Sequence, residues 1–425
     1  MKIAHILRKY NPSEWGGTES VLQQMTDGLA QHGVQSTVYC PTLSEQVGGE
    51  PSPGDPLREA GCIIKRFHAT FPVWGLTEEA RRQALSVGGN LLSFELPRML
   101  SREANVDVVH AHVLGRLGGI ARSVARRRHV PFVVTIHGGA LDLSDTVKQE
   151  LATYAGKGLE WGKVFGLRWG AHRVLSDAEA ILTCNPREAE LLRQQHPNKR
   201  IIAHPHGVKY SRFQTDHRAA ACQAFPEITG RMPVVCLGRI DVVKNQSWLV
   251  EQLPALLERY PKLLLVFAGA CTNHAYGESL RKLIRGNGLE QAVLLTGGLP
   301  PGDPRLIGLM QQAHAMILPS ISETFGLVIV EAWAAGTPVL ASRTSGSESL
   351  IRPGEDGYLF DLAHPQTFHD ALTQLFADPR KRTQMVTTAK ARAENEFDTV
   401  RLAGRICELY EQLIAQKHTL RGVAG

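Results

Sequence analysis

Short apolar runs alternate along this chain with longer stretches in which apolar residues recur every three to four positions. The runs at Ile3–Leu7, Thr37–Cys40, Val106–His110, Phe132–Ile136 and Ala180–Cys184 are short and mainly apolar. That pattern predicts strands buried on both faces, as in a parallel sheet whose crossovers are helices. Between the first two runs, Val21, Leu22, Met25 and Leu29 fall at helical spacing and Gly33 ends the pattern. A second series, Val234–Leu237, Leu263–Ala268, Val293–Thr296, Ala315–Leu318, Val339–Ala341 and Tyr358–Phe360, repeats the scheme without repeating the sequence. The stretch "QTDHRAAACQAFPEITGRMP" between the two series ends on Gly and Pro and reads as a connection, and a long helical stretch runs from about Thr387 to Gln416. The predicted class is α/β, two doubly wound Rossmann-like domains. The expected boundaries are 1–212, 213–395, and a terminal helix 396–425 that packs back on the first domain.

Length agrees with that division, because 425 residues exceed one ordinary core at roughly 100–200 residues per domain. With 43% hydrophobic and 21% charged residues the composition is that of a folded chain. The net charge of +6 is spread evenly over both halves, with no basic arm, so nucleic acid is not an expected partner. The dense run Arg126-Arg127-Arg128-His129 has two readings, a solvated helix end or a contact with an anionic surface such as a membrane. Seven cysteines without a C-x-x-C pair argue against a disulfide framework or a zinc ribbon. No run approaches the ~18 apolar residues of a spanning helix. The expected location is cytoplasmic, with peripheral contact at the inner membrane face left open.

Candidate chemistry sits where a parallel sheet gathers ligands, beyond the carboxyl ends of its strands. Gly16-Gly17-Thr18-Glu19 opens the first helix, and glycines there let a phosphate approach the backbone, although Gly-Gly turns are also common without ligands. Arg239 and Lys244 in "LGRIDVVKN" follow a buried run and suit a diphosphate, or else are solvated loop cations. In "PSISETFGLVIVEAWAAGTPVL" a strand, a loop and a helix start follow in order, with Glu323 before the helix and Glu331 inside it. Carboxylates beside phosphate are unfavourable, so these two suit sugar hydroxyls, the plain alternative being a helix-start anion and a solvated face.

With these stretches in place, the chain resembles the retaining glycosyltransferases of family 4 (glycosyl transferases group 1), which have the GT-B fold of two Rossmann-like domains facing across a cleft. The likeness runs from "GGTES" through "HAHVLG", "TIHGG", "PHGV", "LGRIDVVKN" and "FAGA" to "SETFGLVIVEAWAAGTPVLAS" and "EDGYLF". It implies a hexose moved from a nucleotide-diphosphate sugar, UDP-hexose favoured and GDP-mannose next, to a sugar, lipid-linked or small-molecule acceptor. By position, Glu323 is implied at the donor sugar, Glu331 at the ribose, and Arg239 with Lys244 at the diphosphate. The backbone of Phe325, Gly326 and Leu327 is implied at that diphosphate too, Gly16 and Gly17 in the facing loop, and His137 near the transferred sugar. After "VFAGA" the usual short glycine turn is replaced by "CTNHAYGESL", and an insertion after Gly139 carries Tyr154, Trp161, Phe165 and Trp169. The insertion reads as an acceptor-side lid, local packing, or an interfacial membrane helix.

No D-x-D metal-diphosphate signature is present, so metal independence and no cofactor are expected, with the nucleotide sugar as co-substrate. His110-Ala-His112 and His204-Pro-His206 are incomplete as metal sites. Walker and G-x-S-x-G motifs are absent. The other classes to be separated are a nucleotide-sugar epimerase of related architecture, which needs no second substrate, and a non-catalytic sugar-nucleotide-binding module. The sequence leaves the oligomeric state unspecified.

Overall fold

A computed structural model describes residues 1–11, 17–42, 55–75, 90–137, 159–300 and 302–424, the side chains of 159–160 and 420–424 excepted. The chain divides into two units, Met1–Pro205 together with Thr399–Gly425, and His206–Asp398. Among the described residues the first unit holds seven parallel strands: β1 Lys2–Ile6, β2 Gln35–Pro41, β3 Ile63–Phe67, β4 Val108–Ala111, β5 Phe132–Ile136, β6 Ala180–Thr183 and β7 Ile201–Ala203. Their order is β3-β2-β1-β4-β5-β6-β7. The second unit holds β8 Met232–Leu237, β9 Leu263–Ala268, β10 Val293–Gly297, β11 Ala315–Leu318, β12 Val339–Ser342 and β13 Tyr358–Phe360, in the order β10-β9-β8-β11-β12-β13. Both are doubly wound, and the winding reverses between β1 and β4 and between β8 and β11.

The unbroken apolar runs are explained by burial on both faces. All six residues of β9 are buried, and one side of the second sheet packs Leu265 and Phe267 against Leu249, Leu253 and Leu280 of the crossover helices. In the first unit one layer joins Val109, Val134 and Ile181 to Leu117, Ile120 and Val124 of the helix Gly115–Arg128. The opposite layer joins Ile3, Val108 and Leu182 to Ile406, Tyr410 and Leu413 of the helix Thr399–Ala424. That last helix therefore completes the first unit's core.

Three expectations are corrected. The final helical stretch is two helices, Pro379–Phe397 and Thr399–Ala424, separated at Asp398, whose extended backbone (φ −65°, ψ 133°) pairs with Val208. The presumed connection contains the helix Arg218–Ala224, tight enough on the helix Pro304–Gln312 that a Cβ on Gly308 would lie 2.0 Å from the His217 carbonyl oxygen. Edge strand β3 and the short β7 escaped the pattern because their residues are only partly covered: Ile63 is exposed and Ile202 half-buried. The arginine run closes the helix Gly115–Arg128, with His129 in the left-handed region (φ 56°), Arg126 paired to Asp177 at 2.7 Å and Arg128 donating to the Leu100 carbonyl at 2.7 Å.

Candidate functional site

At the switch point of the second sheet, the chain leaving β8 meets the chain leaving β11. Gly238 follows β8 with φ 142°, and a Cβ on Gly269 after β9 would lie 2.0 Å from the Gly238 carbonyl oxygen, so this turn needs glycine at both places. Asp241 Oδ1 accepts from Val243 N–H at 3.1 Å and closes a short 3-10 turn, Val242–Lys244. The Val243 carbonyl then accepts from Ile321 N–H at 2.8 Å, tying this turn to the loop after β11. Across that tie Lys244 Nζ meets Glu323 Oε2 at 2.5 Å, with side chains only 19% and 17% exposed. Arg239 lies on the same loop with its side chain exposed, while its carbonyl is held by Gln246 Nε2 at 2.8 Å.

The loop after β11 is fixed from its other side as well. The Glu323 carbonyl accepts from Gly346 N–H at 2.8 Å and Ser345 Oγ at 3.4 Å. A Cβ on Gly346 would lie 2.6 Å from Phe325 N, so the close approach of these backbones depends on that glycine. Phe325 is buried, packed edge-on against His206 at 4.9 Å. Gly326 turns the chain at φ 90° into the helix Leu327–Ala335, which starts without a side-chain cap. The first N–H groups of a helix have no partner within it, so this start is suited to an anion. Glu331, further along the helix, keeps some surface exposure, yet the surrounding protein desolvates its carboxyl and raises its pKa from 4.5 to about 7. Beside the β9 exit, an open cavity is lined by Ile240, Phe267, Gly269, Cys271, Leu295 and Gly297.

The remaining expected residues belong to the first unit. Gly16 lies outside the described residues. Gly17 opens the helix Gly17–Gln31, and a Cβ there would meet nothing within 4 Å among the described residues. His137 stands at the carboxyl end of β5 with Nε2 2.8 Å from His112 Nδ1, and His112 Nε2 is 3.0 Å from His5 Nδ1. His110 is fixed separately, Nδ1 2.6 Å from the Tyr410 hydroxyl and Nε2 2.6 Å from Thr135 Oγ1. Burial lowers the pKa of His5 to about 3 and of His137 to about 4, and holds His110 well below 6.5 with its charged-form neighbours adding to the effect. His5, His110 and His112 place ligand-capable atoms within 4.8 Å of one another, a grouping that sequence spacing could not show because His5 comes from another strand. His204 and His206 do not join it: His204 Nε2 lies 3.2 Å from the Leu402 carbonyl, and His206 faces Phe325.

Lys244, Glu323, Phe325, Gly326 and Leu327 are thus brought onto two joined loops, with Arg239 beside them and Glu331 on the helix they open. After "VFAGA" the sequence pointed to base contacts near Gly269 to Thr272, but it did not show that Gly238 and Gly269 serve close backbone approach across separate strands, and it missed Gly346, which does the same. "TSGSES" offered only a glycine among serines as its signal. Of the aromatic insertion, Tyr154 falls outside the described residues, while Phe165 contacts Trp161 (6.1 Å), Trp169 (6.1 Å) and Phe94 (5.2 Å). These rings touch one another while staying partly exposed, and Val164 and Leu167 between them are 70% and 69% exposed. All seven cysteines are free, and among the described residues no helix is long and apolar enough to cross a membrane.

Comparison with known proteins matches residues 16–207 to the Glycosyl transferase 4-like domain and residues 223–392 to the Glycosyl transferases group 1 family. The D-inositol 3-phosphate glycosyltransferase of Corynebacterium glutamicum (strain R) is 25% identical, over 98% of this chain and 98% of its own. The solved structure of Anabaena HepE in complex with UDP-glucose superposes with a TM-score of 0.69 at 18% identity, over 97% of this chain and 100% of that one. Sucrose-phosphate synthase from Thermosynechococcus elongatus does so with a TM-score of 0.71 at 21% identity, over 98% and 99%. Two doubly wound sheets, these neighbours and two family matches that between them span most of the chain lead to one conclusion: the chain belongs to the group 1 glycosyltransferases of the GT-B fold.

Proposed function

We propose that this glycosyltransferase moves a hexose, with retention of its anomeric configuration and without a metal ion, from a nucleotide-diphosphate sugar to an acceptor hydroxyl. UDP-hexose is the first choice of donor and GDP-mannose the second. One observation carries the reading: a lysine and a glutamate meet at 2.5 Å beside an uncapped helix start, at the switch point of a doubly wound sheet.

In such a transfer the bond from the anomeric carbon to the diphosphate breaks, and negative charge builds on the leaving diphosphate. Lys244 and Arg239 supply fixed positive charge there, and the N–H groups around Phe325, Gly326 and Leu327 supply aligned donors. These groups do the neutralising that a divalent ion does in other transferases. Gly16 and Gly17 are assigned to the same diphosphate. Glu323 shares its carboxylate between Lys244 and hydroxyls of the donor sugar, Glu331 accepts from the ribose, and the cavity beside Gly269 takes the base. The acceptor oxygen bonds to the anomeric carbon on the face the diphosphate leaves, and its proton passes to the departing phosphate oxygen. No side-chain base is then needed, and holding the two reactants in contact supplies the rate. His137 is assigned to the sugar in transit.

The acceptor is a hydroxyl of a sugar, of a lipid-linked acceptor or of a small molecule. The name of the Corynebacterium relative makes D-inositol 3-phosphate the first small acceptor to try. A panel of sugar nucleotides is screened for thermal stabilisation, since a ligand that binds only the native state raises its melting temperature. The stabilising donor, labelled in its hexose, is then incubated with and without acceptors in the presence of a chelator. Transfer of label only when acceptor is present supports the reading. Conversion of the donor alone would identify an epimerase, and binding without any conversion a non-catalytic module.

A further inference from the structure

At the switch point of the first sheet three histidines from three parallel strands touch in series. His5 on β1 is fully buried, His112 just beyond β4 is 7% exposed, and His137 just beyond β5 is partly exposed. Their ring nitrogens lie 3.0 Å apart between His5 and His112 and 2.8 Å apart between His112 and His137. His110 packs on the middle ring with centroids 4.2 Å apart and is itself pinned by Tyr410 and Thr135. The chain therefore runs from the core outward between fixed walls.

We propose that His5 and His112 are positioning residues for His137, a chain of neutral imidazoles that fixes which nitrogen of His137 carries its proton and which way the ring faces. A neutral imidazole has one donor and one acceptor nitrogen, so each contact in the series sets the direction of the next. His5 Nε2 is buried and has no hydrogen-bond partner among the described residues. Donation running inward would leave an N–H on His5 Nε2, enclosed in the core with no acceptor among the described residues. Donation running outward puts the last N–H on His137 Nδ1, itself a buried atom but on a residue partly exposed at the strand end, where a bound hydroxyl can accept it. The proton of His5 therefore belongs on Nδ1, where it meets His112. His5 Nδ1–H then donates to His112 Nε2, and His112 Nδ1–H donates to His137 Nε2. The proton of neutral His137 is left on Nδ1, opposite to the preference of free histidine. Burial that keeps His5 and His137 uncharged is in accord with this arrangement. The effect on transfer rests on the assignment of His137 to the sugar in transit.

The test reads the tautomer directly, with no donor or acceptor present, by nitrogen NMR of the full chain carrying labelled histidine. The His137 signals are assigned by their loss in His137→Gln. The wild type is expected to show a protonated Nδ1 and an unprotonated Nε2 at His137. His112→Phe is expected to release His137 to the Nε2–H form, and His112→Asn, whose amide N–H stands where Nδ1 was, is expected to restore it. Should His112→Phe fail to fold, His5→Phe against His5→Asn asks the same question one link further in. Turnover with the donor found above is expected to fall by about tenfold to a hundredfold in the Phe variants, with donor KM unchanged, and to recover in the Asn variants. A wild-type His137 protonated on Nε2, or a tautomer indifferent to His112→Phe, overturns the proposal. So does one equivalent of zinc in the purified chain that His5→Phe removes, because the cluster would then be a metal site. A tautomer that shifts while turnover does not leaves the chain standing and refutes the assignment of His137 to the reacting sugar.

Discussion

Lys244 and Glu323 share an ion pair that is shielded yet still in touch with water, so its loss is expected to cost only about 1 kcal/mol of stability. Its chemical weight is expected to be far larger. Lys244→Ala and Glu323→Ala should both fold, as read by circular dichroism, and lose about a hundredfold or more in turnover. A variant that keeps near-normal transfer would remove that residue from the site. Glu331 gives a test in pH. Its carboxyl keeps its proton to about 7 in the folded chain, while the unfolded chain releases it near 4.5. The folded state therefore loses stability as pH rises from about 4.5 to about 7 and loses no more above that. Against Glu331→Gln, which cannot titrate, the wild-type melting temperature is expected to fall across this window and then run parallel. Donor affinity should move the opposite way in the wild type, rising through the same window, because only the ionised carboxylate accepts from both ribose hydroxyls.

At the scale of elements, the loop from Pro319 to Gly326 is built by two glycines with different jobs. Gly326→Ala forces a side chain into the left-handed region and to 2.8 Å from Cδ1 at the far end of the Ile329 side chain, so about 1–2 kcal/mol of stability should be lost with the loop still in place. Gly346→Ala drives a methyl to 2.6 Å from backbone nitrogen, which no rotamer change relieves. It should displace Glu323 and Phe325 and abolish donor-induced stabilisation in a thermal melt, whereas Gly326→Ala should retain it. These elements show what a sequence can and cannot tell. The strands Phe132–Ile136, Leu263–Ala268, Ala315–Leu318 and Tyr358–Phe360 lie where unbroken apolar runs put them, because burial on both faces leaves a strong signal. The break at Asp398 leaves none, since it depends on pairing with Val208, far away in sequence. Within the site, Lys244 and Glu323 were readable as residue types at strand exits, but not as a contacting pair. Gly346 and His5 act across strands distant in sequence, and no local pattern announces them.

At the scale of the whole molecule, the last helix is part of the first unit and not an appendage. Ile406, Leu409, Tyr410 and Leu413 are each buried there, and at about 1.5–3 kcal/mol apiece their burial is comparable with the whole stability of an ordinary domain. Ending the chain after Asp398 is accordingly expected to unfold the first unit, as seen by rapid proteolysis of segments 1–205. A truncated chain as resistant as the intact one would contradict the packing described here. Function is expected to depend on the second unit's switch point above any other feature of the fold. Calorimetric titration of UDP-glucose, with GDP-mannose in parallel and a chelator present, into the intact chain and into Lys244→Ala examines that dependence. Saturable one-to-one binding of one of the two donors that weakens about tenfold or more in Lys244→Ala is the expected result, the loss of one charge-assisted contact to a diphosphate. Equal affinity in the two proteins, or binding only when a divalent ion is restored, would contradict it.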